Sequence, residues 1–175
     1  MRSELLVVVA LALATPLAAQ QVTPVSKQGV LATLQGEWEG DAWYITGPGP
    51  QGKQAVHQQE WVSTGAGGTV VVVKGVGTQK MPDGTTVVKH DAFATIYTGR
   101  DGKLALRAFL ANGQWMDMDI ELVADGYTWR MTHPQAGLMR YEMRIVEGRW
   151  IEKGFNSRDE GKTWTQFMEM TLTRK

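Results

Sequence analysis

The chain of 175 residues carries 18 basic and 18 acidic side chains and no cysteine. Balanced charge argues against a nucleic-acid partner, which selects a basic excess. The absence of thiols excludes disulfides, thiol catalysis and a lipid anchor through cysteine, and a chain of this size can bury enough surface to fold as one domain without staples. At the N-terminus, Arg2 precedes an unbroken apolar run from Leu5 to Leu13, followed by Pro16 and the small residues Ala18 and Ala19. This order is that of a secretory signal peptide over residues 1–20, cleaved near Ala19 or Gln20, and the run is too short to span a bilayer, which takes about 20 apolar residues. The expected product is a secreted or periplasmic protein with no membrane span.

Residues 21–35 form a lead-in in which Val25 to Leu34 suits a short helix weakened by Gly29. From Gly36 to the C-terminus the pattern has period 2, with turn chemistry every 8 to 14 residues. The turns are Gly47-Pro48-Gly49-Pro50, Gly65 to Gly68, Pro82-Asp83-Gly84, Gly99 to Gly102, Asn112-Gly113, Asp125-Gly126, Pro134 to Gly137, Glu147-Gly148 and Arg158 to Lys162. They separate about ten strands with no long helical pattern between them. The expected fold is all-β, a single antiparallel up-and-down barrel over residues 36–175 behind a short N-terminal helix.

The second half shows the clearest faces. Met116, Met118, Ile120 and Leu122 alternate with Asp117, Asp119 and Glu121; Tyr127, Trp129 and Met131 alternate with Thr128, Arg130 and Thr132; Met139, Tyr141, Met143 and Ile145 alternate with Arg140, Glu142 and Arg144. Such alternation marks one dry and one wet face. Seven methionines between Met116 and Met170 fall on the dry faces. Methionine fills irregular cores, and it also lines surfaces that adapt to varied apolar ligands; both readings stand. Near the start, Val56, Gln58, Glu60 and Val62 share a mixed face, which suits either a partly polar cavity wall or a loosely packed edge.

Ser157-Arg158-Asp159-Glu160-Gly161-Lys162-Thr163-Trp164 matches the Asp-box pattern at every defined position. It is read as a structural hairpin, in which the Asp carboxylate accepts turn amides. His57, His90 and His133 fall in no metal-ligand spacing, and no Ser-His-Asp set or phosphate-binding glycine loop is visible, so neither metal nor cofactor is expected. Glu60, Arg107, Arg140 and Glu142 are the candidates for buried polar work. Arg107 stands out in the otherwise apolar strand Leu104 to Phe109, where a charge needs a partner or an anionic ligand.

Leu34-Gln35-Gly36-Glu37-Trp38 resembles the Gly-x-Trp signature of the calycins, the lipocalin and fatty-acid-binding-protein superfamily. The resemblance implies that Trp38 closes one end of the barrel with Arg174 of the last strand stacked across it, a cation–π contact. By analogy with fatty-acid-binding barrels, Arg107 and Tyr141 would hold a ligand carboxylate. The chain also resembles an uncharacterised family of secreted bacterial lipocalin-like proteins, through Phe109 to Gly113, Met139-Arg140-Tyr141 and Trp150 to Phe155. That resemblance implies a barrel and no reaction.

The function expected from these residues is binding of a small apolar or amphipathic molecule in the barrel interior. Its wall would comprise Met116, Met118, Trp129, Met131, Met139, Tyr141, Met143 and Met168, with Phe93, Tyr97 and Arg107 as further members and Arg107 as polar anchor. One alternative is a hydrolase or isomerase using Glu60 or Glu142 with an arginine. Another is an interaction module with a filled barrel and an outer patch of Trp61, Trp115 and Trp150.

Overall fold

The computed structural model describes residues 23–45 and 52–175; the expected export segment and the Gly47 to Pro50 turn lie outside them. A single 3-10 turn at Val25–Lys27 is followed by a one-turn helix α1 at Leu31–Leu34. The expected short helix is therefore split, and the break falls at Gly29, whose φ of 49° no helix accommodates.

Ten strands follow. They are β1 (Gly36–Ile45), β2 (Lys53–Gly65), β3 (Val70–Lys80), β4 (Thr86–Thr98), β5 (Leu104–Leu110), β6 (Trp115–Val123), β7 (Gly126–His133), β8 (Gly137–Val146), β9 (Arg149–Ser157) and β10 (Thr165–Arg174). Each pairs antiparallel with the next, and β10 returns to β1 through a register from Trp38 opposite Arg174 to Tyr44 opposite Met168. The result is a closed up-and-down barrel, as the period-2 pattern predicts. Closure leaves no unpaired strand edge. No described helix is long and apolar enough to cross a membrane.

The hairpins owe their tightness to short acidic and amide side chains. Asp83 accepts the Thr85 amide at 2.9 Å, Asp101 that of Lys103 at 3.1 Å, and Asn112 that of Gln114 at 3.0 Å. Each side chain thus accepts the amide two residues on, three residues before the strand resumes. The Asp-box hairpin extends the same device. Asp159 accepts the Thr163 amide at 2.8 Å and its hydroxyl at 2.7 Å, and Ser157 donates to Asp159 at 2.8 Å. The Trp164 indole N–H donates to the Gly161 carbonyl at 3.0 Å, and Arg140 lies 4.5 Å from the Trp164 ring.

These donors hold the Asp159 carboxyl down at about 2, Thr163 contributing most. A depressed acid stabilises its hairpin fully above its ordinary value of 3.8 and loses that contribution as pH falls through about 2. The Thr163 amide resonance is expected to move toward a random-coil position over that acid window. Asp159→Ala should place it there at neutral pH; an unshifted resonance in the variant would contradict the assignment.

One end of the barrel is plugged. Val25, Val30, Leu31 and Leu34 of the lead-in are buried, and Trp38 is 3 % exposed. The Trp38 indole donates to the Leu34 carbonyl at 2.8 Å, and its ring meets Trp150 edge-on at 5.8 Å. Arg174 covers the other face at 4.4 Å and donates to the Thr33 and Gln35 carbonyls. The cap that Gly36-Glu37-Trp38 and the terminal arginine imply is thus present and tied to the lead-in.

Candidate functional site

Inside the barrel, between this plug and the opposite end, lies a cavity of about 350 Å³. Volumes of this order accommodate small organic molecules. Strands β4 to β8 and β10 give it an apolar wall. Ala92, Ala94 and Ala108 leave room, and Leu106, Met116, Met118, Met131, Met139, Met168 and Met170 line what remains. Trp129 stacks on Tyr141 at 3.6 Å with 9° between the rings, and Phe167 meets Tyr141 edge-on at 5.6 Å. Phe167 reaches the cavity out of parity because the β9–β10 register shifts between Gln166 and Met168.

The other side is polar. Tyr44 on β1, Gln58 and Glu60 on β2, His90 on β4 and Glu152 on β9 face the same space. Gln58 donates to Glu60 at 2.8 Å, and the Tyr44 hydroxyl lies 3.4 Å from the Gln58 carbonyl oxygen. Strand β3 makes room for this pair. Gly75 stands opposite Glu60 and Gly77 opposite Gln58. A Cβ on Gly75 would sit 2.5 Å from the Glu60 carboxyl, and one on Gly77 would sit 2.6 Å from the Gln58 amide oxygen. Two side chains are missing from β3 where two polar heads lie.

Burial sets the protonation of this wall. It pushes the Glu60 carboxyl up to about 8, with the Glu152 charge adding to the rise and the Gln58 hydrogen bond opposing it. It pushes Glu152 up to about 7. The Trp150 indole opposes that rise, although its buried N–H completes no hydrogen bond. Glu152 faces the cavity with protein around it. Burial also raises the Tyr44, Tyr127 and Tyr141 phenols and lowers His90, so the phenols keep their protons and the imidazole stays neutral near pH 7. His90 stacks on Tyr44 with centroids 6.4 Å apart.

Of the residues expected in a ligand wall, Met116, Met118, Trp129, Met131, Met139, Tyr141 and Met168 line the cavity. Met143 does not; it is fully buried in the packed core. Phe93, Tyr97 and Arg107 are corrected to the outer face. Their neighbours Ala94, Leu106 and Ala108 point inward, and strand parity sends these three outward. Phe93 is 41 % exposed and packs on Phe109 at 6.0 Å. Arg107 forms a two-pronged ion pair with Asp117, both contacts at 2.6 Å, and lies 4.9 Å from the Trp115 ring. It is therefore no anchor inside the barrel.

Glu142 is likewise outside, paired with Arg140 at 2.9 Å, whereas Glu60 is inside. The suggested patch of Trp61, Trp115 and Trp150 does not form, because Trp150 is 2 % exposed beside the plug. Sequence reasoning missed Glu152, although Trp150, Glu152 and Gly154 alternate on one face of β9.

A wider groove of about 900 Å³ crosses the rim beside the Asp-box hairpin. Its carboxylate, Asp159, is engaged by Ser157 and Thr163. Among the described residues no three His, Cys, Asp or Glu side chains gather as metal ligands. No family model matches the chain, and no curated protein matches it.

Proposed function

We propose that this chain is an exported, calycin-like barrel that binds a small apolar or amphipathic molecule in its interior. The observation that carries the reading is the interior cavity of about 350 Å³, walled by methionines and stacked aromatics and bordered by one polar cluster. Methionine side chains adapt to ligand shape, and small residues on β4 and β5 keep the space free. A filled interaction module is the weaker reading, since a packed interior would leave no such space. Export is supported by the charge, apolar run and small residues of the N-terminal segment.

Nile red, a neutral solvatochromic dye, tests cavity binding. The barrel is expected to brighten and blue-shift the dye, and 1-decanol should displace it. Ala94 and Ala108 are register partners, and both line the cavity. Ala108→Trp projects an indole into the cavity from this wall and should weaken dye binding about tenfold or more, with the circular dichroism spectrum unchanged. Full dye affinity in that variant would place the dye elsewhere and sink the reading.

A second reading, acid–base chemistry in the same cavity, is favoured by Glu60 and Glu152, because buried carboxyls that titrate near neutrality suit proton transfer. It predicts that a bound compound is recovered chemically changed. The conversion should be lost in Glu60→Gln.

A further inference from the structure

We propose that the occupant of the barrel is an amphipathic amine, its cationic head held between Glu60 and Glu152 and its apolar body laid against the methionine wall. This rests on the cavity-binding reading and adds the chemistry of the ligand head.

Four observations converge. The first is the sign of the polar wall: among the described residues two carboxyls and no Arg or Lys line the cavity. Arg107, the side chain best suited to a ligand carboxylate, is spent on Asp117 outside the barrel. A fatty carboxylate would therefore be buried beside two acids with no counter-charge, which is costly.

The second is space. Gly75 and Gly77 lie directly across from Glu60 and Gln58, so the acid has a cradle on β3 and not a packed neighbour. The third is the aromatic surround. Tyr44, Tyr127, Trp129, Tyr141 and Trp150 border the same cavity as the two acids. Ring faces attract cations, more strongly where water is excluded.

The fourth is the protein's own provision for the acids. Glu60 accepts one hydrogen bond, from a neutral amide, and both acids are raised by burial, so their protein surroundings disfavour the ionised forms. An ammonium group supplies the missing opposite charge with up to three donors. Its entry lowers the affinity of the acids for their protons, so a carboxyl proton leaves to solvent as the ammonium–carboxylate pair forms. The other groups facing the acids do not compete in this range. Tyr44, Tyr127 and Tyr141 hold their protons, Gln58 does not titrate, and burial keeps His90 neutral. His133, at the end of β7, lines the cavity near its far rim.

The test is displacement of Nile red at pH 7 by three ligands with the same ten-carbon chain: decylamine, 1-decanol and decanoate. Decylamine is expected to displace the dye at about one tenth of the decanol concentration or less, and decanoate should be the weakest. Calorimetry in buffers of different ionisation enthalpy should show proton release on decylamine binding. In Glu60→Gln/Glu152→Gln the advantage of amine over alcohol should collapse and proton release vanish. Glu142→Gln, on the outer wall, should keep both. If decanol displaces the dye but decylamine does no better, or decanoate does as well, the amine assignment is overturned and cavity binding stands. If neither dye nor decanol binds, the cavity reading fails and takes the amine with it.

Discussion

Trp38→Ala is expected to destabilise the barrel by about 3–5 kcal/mol, the range for deleting a large buried aromatic side chain. The loss has three sources in the structure. The indole is 3 % exposed, so its removal opens a void under the lead-in. Its edge contact with Trp150 at 5.8 Å disappears, and the Leu34 carbonyl at the end of α1 loses its donor at 2.8 Å. Arg174→Ala should cost less, because that side chain is exposed, but it acts on the same unit: Arg174 covers Trp38 and binds the Thr33 and Gln35 carbonyls. Arg174→Lys should restore little, since an ammonium lacks the planar fork that reaches two carbonyls while stacked on a ring. Residues in one network are non-additive, so the double variant should lose less than the sum of the singles. Urea unfolding of the four variants measures this. A Trp38→Ala protein within about 1 kcal/mol of the parent would show that the plug does not hold the fold together.

Most of the barrel was legible in the sequence because it rests on local rules, whereas the Trp38–Arg174 plug was an expectation drawn from the calycin resemblance. Period-2 alternation gave the faces of β6 to β8, and Asn-Gly, Asp-Gly and the other Gly- and Pro-containing turns gave the hairpins. The errors have one physical cause. A hollow barrel reverses the usual relation between bulk and burial. On β4 and β5 the small residues Ala92, Ala94 and Ala108 face the interior and leave it empty, while Phe93, Phe109 and Arg107 cover the outside. Phe93 and Tyr97 therefore lie on the face opposite to the expected one, and Arg107, a charge in an apolar strand, finds its partner in Asp117 outside the barrel and not in a ligand.

The acidic site was half legible. The mixed face of Val56, Gln58, Glu60 and Val62 left a polar cavity wall open as one reading. What makes it a site is the register that sets Gly75 and Gly77 across from it, and Glu152 arriving from β9. The β2–β3 register is that of one hairpin, but the arrival of Glu152 from β9, far along the chain, is a tertiary property that no local pattern encodes.

The same acids predict that the barrel loses about 2–3 kcal/mol of stability between pH 6.5 and pH 9. The sign follows from proton counts. Both carboxyls have an ordinary value of 4.5, and in the fold they are raised to about 8 for Glu60 and about 7 for Glu152. Between the ordinary and raised values the folded state binds more protons than the unfolded one, so stability falls as pH rises. The stabilising contribution is complete below 4.5 and gone once pH has passed the folded values.

His90 acts in the opposite sense: burial lowers it from 6.5, so folding gains as pH climbs toward that value. Above 6.5 that opposing contribution fades within about one pH unit, which is why the window begins there. Glu60→Gln/Glu152→Gln removes both titrations while keeping side-chain shape, so its stability should stay level across the window and exceed that of the parent at pH 9. Parallel urea midpoints for parent and variant at the two pH values would contradict the burial of these charges. A barrel that keeps two acids at such a cost above neutrality holds them for something other than its own stability. An ammonium ligand would reverse the cost, so decylamine should raise the parent's unfolding midpoint more at pH 9 than at pH 6.5, and more than it raises the variant's at either pH.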